Sequence, residues 1–160
     1  MLSKKTKYAL KSLILLARTD AERPVSAAEI AELEAIPRKF LEQILVELRL
    51  GGFLVSRKGK EGGYLLARPA AEITFGQVVR ALEGPLALLP CVSQTAYRKC
   101  DECQDETSCS IRIVMKKVRD ETARILDGTS LTDMLDASHA AVAEALAEQV
   151  EGRTGGAHAR

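Results

Sequence analysis

The chain has 160 residues, a formal net charge of +1, 46% hydrophobic residues and 28% charged residues. This length suits one domain with a short appendage, and the composition is typical of a folded globular protein rather than a disordered one. No apolar run approaches the roughly 20 residues needed to cross a bilayer, and no secretory signal is evident, so we expect a cytoplasmic protein without a membrane partner.

Charge is divided unevenly along the chain. Residues 1–68 carry 13 Lys and Arg against 8 Asp and Glu, whereas residues 69–160 carry 10 against 14. A basic first half favours contact with a polyanion, although a solvated charged face is the commoner origin of such a pattern.

The chain begins with two predicted helices. Apolar residues at helical spacing predict the first over residues 4–18. Ser26 and Glu29 form a predicted capping box, in which the serine accepts an amide proton and the glutamate reaches back. This box opens a short helix with Ile30 and Leu33 facing inward.

A third helix and a hairpin follow. Pro37 suits the start of a helix, where its missing N–H costs nothing. The segments 53–57 and 63–67 are predicted strands, joined by a basic, glycine-rich tip. The buried stripe of the third helix is predicted to be Phe40, Leu41, Ile44, Leu45 and Leu48. This order predicts a mainly α fold, a winged helix-turn-helix with a small β-hairpin wing and a long C-terminal dimerisation helix.

We predict four regions: a DNA-binding domain over 1–83, a cysteine-rich loop over 84–110, a dimerisation helix region over 111–137, and an Ala-rich, flexible tail over 138–160. Thr74 and Gln77 form a second predicted capping box. The apolar stripe of the long helix, predicted over 111–126, can pack on its own domain or on a second subunit. Ser130 is predicted to cap a final short helix.

The second helix of a helix-turn-helix presents its first residues to base edges in the major groove. Candidates on that helix are Arg38, Lys39, Glu42 and Gln43; candidates on the wing are Arg57, Lys58 and Lys60; Lys4, Lys5 and Lys7 add phosphate contacts. Since one module contacts few base pairs, we expect a homodimer on a near-palindromic operator in double-stranded DNA. Solvated charges, or a protein-interaction module, are the alternatives.

Four cysteines lie within 19 residues, with the spacing Cys91-x8-Cys100-x2-Cys103-x5-Cys109. In a cytosolic chain, such a group indicates a metal or redox site rather than a disulfide framework. Four thiolates with a short Cys-x2-Cys step suit an iron–sulfur cluster, whereas structural zinc sites usually contain two such steps. A thiol switch is a further alternative, which leaves two cysteines unexplained.

An enzyme is not expected, and no small-molecule substrate is predicted. The two histidines, His139 and His158, lie near the C-terminus, and no catalytic arrangement can be assembled around them. An electron-transfer protein or cluster carrier would account for the cysteines but not for the winged module.

Three segments resemble the iron–sulfur-cluster regulator family of bacterial repressors, the IscR, NsrR and RirA type often called Rrf-two. They are KTKYAL at 5–10, FLEQIL at 40–45 and RKGKEGGYLL at 57–66. The cysteine loop before a long helix also fits, so that the likeness covers about residues 1–135. The resemblance implies a homodimeric transcription regulator that senses iron, redox state or nitric oxide through a cluster.

The resemblance also implies a ligand set. The family motif has three cysteines, with which Cys91, Cys103 and Cys109 match, and Cys100 is additional. The fourth ligand of the IscR type, a histidine, is replaced here by Arg112, and the acid of the NsrR type by Lys7. Cys100 is the natural replacement, which implies an all-cysteine site, with a four-iron cluster favoured slightly over a two-iron one.

Overall fold

The computed structural model describes residues 2–59, 61–103, 105–137, 139 and 140. Its helices are α1 (Lys4–Arg18), α2 (Ala27–Leu33), α3 (Arg38–Leu50), α4 (Phe75–Glu83) and α5 (Ser110–Asp127). Its strands are β1 (Leu54–Arg57) and β2 (Gly63–Leu66). Short 3-10 turns cover Ala70–Glu72 and Pro90–Val92, and residues 131–137 are helical. This order confirms the predicted winged helix-turn-helix fold.

Some predictions concern residues that the structure does not describe. The wing residue Lys60 is one of them, and so is the predicted Ala-rich tail, apart from residues 139 and 140. Within the described ranges, none of the helices combines the length and the apolar character needed to cross a bilayer.

The core lies where α1, α2 and α3 meet. Leu13, Ile30, Leu41 and Ile44 are fully buried there, each on the helix face that its spacing predicted. Phe40 is only half-buried, and it packs edge-on against the ring of Tyr8 in α1. The three helices therefore share one hydrophobic core, and packing against α1 and α2 fixes the orientation of α3.

The α2 helix differs from the sequence prediction at two points, its last residue and its capping box. Leu33 was predicted to face inward but is 61% exposed. The chain reverses through Ala35, whose φ is +52°, and Ile36 is buried after the reversal. The capping box is half formed, because the Ser26 hydroxyl accepts the Glu29 amide while the Glu29 carboxylate pairs with Arg23.

The hairpin is antiparallel, with Leu54 opposite Leu66 and Arg57 opposite Gly63. Its second strand also pairs with the chain before α2, since the Tyr64 amide donates to the Val25 carbonyl at 2.8 Å. A Cβ at Gly63 would lie 2.5 Å from the Val25 carbonyl group, so this close pairing requires glycine. The wing is thus anchored to the helical core at its base.

The end of α5 is tied to α4 and to the core. The Arg80 guanidinium contacts both carboxylate oxygens of Asp127, at 2.5 and 2.8 Å. A Cβ at Gly76 would collide with that carboxylate, so a glycine in α4 makes room for the pair. The Leu131 amide then donates to the Ile73 carbonyl at 2.9 Å, and the Leu131 side chain is fully buried.

Candidate nucleic-acid interface and cysteine cavity

The outer face of α3 carries the residues predicted to read DNA. Arg38, Lys39, Glu42 and Gln43 are all exposed, whereas the opposite face is buried in the core. The Arg38 Nε donates to Glu42 Oε1 at 3.0 Å, one helical turn away. A helix packed on one side and polar on the other suits insertion into a major groove.

The wing presents two described cations. Arg57 and Lys58 are both exposed, and the Arg57 guanidinium donates to the Glu22 carbonyl at 3.3 Å. Gly59 at the tip has a φ of +118°, a conformation that favours glycine. The wing therefore presents basic side chains on a hairpin that is anchored to the same core as α3.

The predicted α1 lysines differ in their surroundings. Lys4 and Lys7 are exposed, but the Lys5 ammonium pairs with the Glu47 carboxylate of α3 at 3.0 Å. This pair links the first turn of α1 to α3 and leaves Lys5 less available to a phosphate than its neighbours.

All four cysteines line one cavity of about 250 Å³. They are free thiols, of which Cys91 is buried and Cys100 is exposed, while Cys103 and Cys109 are half-buried. The remaining described lining residues are Leu89, Glu102, Ile111 and Arg112. The structure therefore brings together the four residues that the sequence predicted as ligands.

Three local elements position these thiols. Cys91 lies in the 3-10 turn Pro90–Val92, and Cys109 is the N-cap residue of α5. The Cys103 amide donates to the Cys100 carbonyl at 3.2 Å, so the two-residue gap forms a tight turn. Two short turns and a helix terminus thus meet at the cavity.

Hydrogen bonds shape the loop between Cys103 and Cys109. The Asp105 carboxylate accepts the amides of Thr107 and Ser108. Hydrogen bonds from the Ser108 side chain and from Thr107 hold the pKa of Asp105 well below its usual value. The Tyr97 hydroxyl donates to the Glu106 carboxylate at 2.5 Å, which joins this loop to the segment that precedes Cys100.

The four thiols repel one another electrostatically when they are ionised together. Desolvation raises the pKa of Cys100, and the nearby Cys91 raises it further. The pKa of Cys103 is raised by desolvation and then by Cys109. A bound cation reverses this effect, because a coordinated thiol is deprotonated by the metal charge.

The thiols surround the cavity without converging on one point. In the described part of the chain, no three His, Cys, Asp or Glu side chains come together closely enough to hold a single metal ion. Four thiolates also suit a structural zinc ion, which holds its sulfurs about 2.3 Å away. An iron–sulfur cluster distributes soft thiolate ligands over several irons, and the donor set of this cavity fits that group.

Sequence reasoning missed the part that Arg112 plays at this site. Its Nε donates to the Cys91 carbonyl at 3.3 Å, and its side chain lines the cavity. Glu102 was also not singled out. Its position directly before Cys103 was the available signal, whereas the Arg112 contact joins residues 21 positions apart.

Comparison with known proteins identifies the family. The model of the Rrf2 family, described as an iron-dependent transcriptional regulator, matches residues 2–137. A Rhodobacter capsulatus protein named as an rrf2-like HTH-type transcriptional regulator is 40% identical over 88% of this chain and 96% of its own length. The structure is similar to that of CymR, the global cysteine regulator of B. subtilis, with a TM-score of 0.72 and 30% identity over 86% of this chain and 97% of that one. The structure is also similar to that of T. potens IscR, with a TM-score of 0.68 and 29% identity over 86% of this chain and 88% of that one. The predicted resemblance is confirmed, and the chain belongs to the Rrf2 family of DNA-binding transcriptional regulators.

Proposed function

We propose that this protein is a cytoplasmic, homodimeric repressor whose operator affinity is set by an iron–sulfur cluster on Cys91, Cys100, Cys103 and Cys109. The observation that carries the proposal is that all four thiols line one cavity at the start of α5. When bound, the cluster supplies a centre that responds to iron supply, oxidation or nitric oxide. We favour the four-iron form slightly over the two-iron form.

The residues of the chain connect the cavity to the DNA-binding domain. Cys109 occupies the N-cap position of α5 at the cavity, and Asp127 joins the other end of that helix to Arg80 of α4. A cluster bound by all four thiolates would fix the polar loop rigidly against the first turn of α5. A change in how they are held biases the direction of α5, and thus the spacing of two wings in a dimer.

An exposed apolar face on α5 supports the homodimer. Ile111, Val114 and Ile125 are 64%, 54% and 55% exposed, and Val118 follows the same stripe. Within the described residues, the buried side chain on this helix is Arg119 rather than an apolar one. A stripe of this kind is covered when a second copy packs its own α5 against it.

The dimer is tested by Val114→Lys, which places a charge in the stripe. We expect sedimentation velocity to report a monomer, with weaker operator binding at equal folding. Lys116→Ala, also exposed on α5, is the matched control and should remain a dimer. A dimeric Val114→Lys variant would refute this seam.

The cluster is tested by purification without oxygen, followed by iron, sulfide and absorption analysis. We expect brown protein with stoichiometric iron and sulfide, and operator affinities that differ between loaded and stripped preparations. Cys100→Ser should lose the cluster, whereas Thr95→Ala, at an exposed position of the same cysteine-rich segment that does not line the cavity, should retain it. Colourless, zinc-containing protein would refute the cluster, and equal operator affinities would refute the sensing mechanism.

A thiol switch without a cluster is the second candidate. After desolvation, Cys91 is the next cause that raises the pKa of Cys100, and Cys109 is the next that raises the pKa of Cys103. These two pairs are the candidates for a disulfide formed with peroxide as the oxidant. Peptide mass mapping of metal-free protein, with operator affinity measured before and after oxidation, distinguishes this candidate from the cluster.

A further inference from the structure

Arg112 occupies an unusual position for a cation. It lies in the first turn of α5, three residues after Cys109, and its side chain enters the cavity that the four thiols line. Its Nε donates to the Cys91 carbonyl at 3.3 Å. One side chain therefore joins the α5 terminus to the 3-10 turn that carries Cys91.

The charge balance of the cavity gives this side chain a second role. The described lining residues include four potential thiolates and the Glu102 carboxylate, and Arg112 is the cation among them. A guanidinium stays protonated and has no lone pair to offer a metal, so Arg112 is not a ligand. It has five N–H donors, of which the bond to Cys91 uses one, so others are available to sulfur acceptors in the cavity.

We propose that Arg112 is a positioning and charge-compensating residue for the group held by the four cysteines. It orients Cys91 through its backbone carbonyl and places a positive charge beside an anionic ligand set. Groups that orient metal ligands from outside the coordination sphere change metal affinity by about 10–100-fold when removed. Nearby charge and hydrogen bonds to sulfur also set the reduction potential of an iron–sulfur centre. This inference rests on the proposed function.

The test compares Arg112→Gln, Arg112→Lys and wild type as full chains reconstituted with ferrous iron and sulfide. We expect Arg112→Gln to release iron to a competing chelator at about 10–100-fold lower chelator concentration. Its midpoint potential should fall, because removing a positive charge disfavours the reduced state. Arg112→Lys keeps the charge and should restore most of the potential. Arg124→Gln, whose exposed guanidinium pairs with Glu121 on α5, is the matched control and should match wild type in both measurements.

Thermal unfolding of the metal-free variants checks that each one folds. If Arg112→Gln retains the wild-type chelator resistance, the positioning role is refuted; if it retains the wild-type potential, the charge role is refuted. Wild-type protein that takes up no iron and sulfide would refute the proposed function together with this role. A loaded wild type beside an unaltered Arg112→Gln variant would refute the role of Arg112 alone.

Discussion

Arg38→Ala separates the DNA-reading role of α3 from its structural role. The Arg38 side chain is 66% exposed, and its pair with Glu42 lies one turn along the same helix. Exposed pairs of this kind contribute about 0.3–0.5 kcal/mol, so the variant should unfold within about 0.5 kcal/mol of wild type. Any large loss of DNA binding then reports lost contacts with DNA rather than lost fold.

The expected loss of binding follows from charge. A hydrogen bond to a charged group is worth about 1.5–3 kcal/mol, which corresponds to roughly 10- to 150-fold in Kd. If the contact is to phosphate, the slope of log affinity against log salt falls by about 0.9 for each Arg38, or about 1.8 for a dimer. If the contact is to a base edge, affinity falls while the slope changes little, and specificity relaxes at one position.

The assay is fluorescence anisotropy on a duplex that the wild type selects from a random pool, between about 50 and 200 mM salt. Glu42→Gln is the informative partner variant, because it frees Arg38 and removes a negative charge from the DNA face. It should tighten binding at low salt, and weaker binding would instead assign Glu42 a base contact of its own. A folded Arg38→Ala variant with unchanged affinity and unchanged salt slope would refute the assignment of α3 as the reading helix.

Three further predictions concern the frame that holds these sites. Gly63→Ala forces a Cβ onto the Val25 carbonyl group and should lower the free energy of unfolding by about 1–3 kcal/mol in urea titration. An unchanged urea concentration at the unfolding midpoint would contradict the close pairing of Gly63 with Val25 at the base of the wing. Leu131→Ala removes a fully buried side chain and should cost about 2–5 kcal/mol, also measured in urea. A cost below 0.5 kcal/mol, the usual limit for surface sites, would show that the segment after α5 is not part of the core. Asp127→Asn should destabilise the protein at neutral pH, since the hydrogen bond from Arg80 lowers the pKa of Asp127. The extra stability of the wild type over Asp127→Asn should disappear as the pH falls below the ordinary aspartate pKa and through the lowered pKa of Asp127. A stability difference that persists at that pH would refute the contribution of the Arg80–Asp127 pair.

Features determined by neighbouring residues could be predicted from the sequence. Thr74 and Gln77 form the complete predicted capping box, because both hydrogen bonds join residues three positions apart. The helical stripe of α3 likewise follows from periodicity, since Leu41, Ile44 and Leu45 are fully buried. The proximity of Cys100 and Cys103 could also be read from their two-residue gap.

Features that depend on residues distant in the chain could not be predicted from the sequence. Leu33 was predicted wrongly, because the left-handed turn at Ala35 brings Ile36 into the core, and periodicity does not report such a turn. Gly76 is required by Asp127, which lies 51 positions later. The approach of Cys91 to Cys109 depends on how the Pro90–Val92 turn packs on α5, which spacing alone does not determine.

The two proposed sites are connected by a helix whose ends are held differently. At one end, Asp127 and Leu131 bind α5 to the DNA-binding domain through a salt bridge, a backbone hydrogen bond and core packing. At the other end, a hydrogen bond from Arg112 to the Cys91 carbonyl joins α5 to the Pro90–Val92 turn beside the thiol-lined cavity. The cavity end is therefore the end at which a bound group acts directly. Coupling between binding sites is reciprocal, so a group that alters operator affinity by a given factor must itself be bound more or less tightly by that factor on DNA. Measuring cluster retention with and without operator consequently tests the same coupling from the other side, and a retention that operator leaves unchanged would show that α5 does not transmit it.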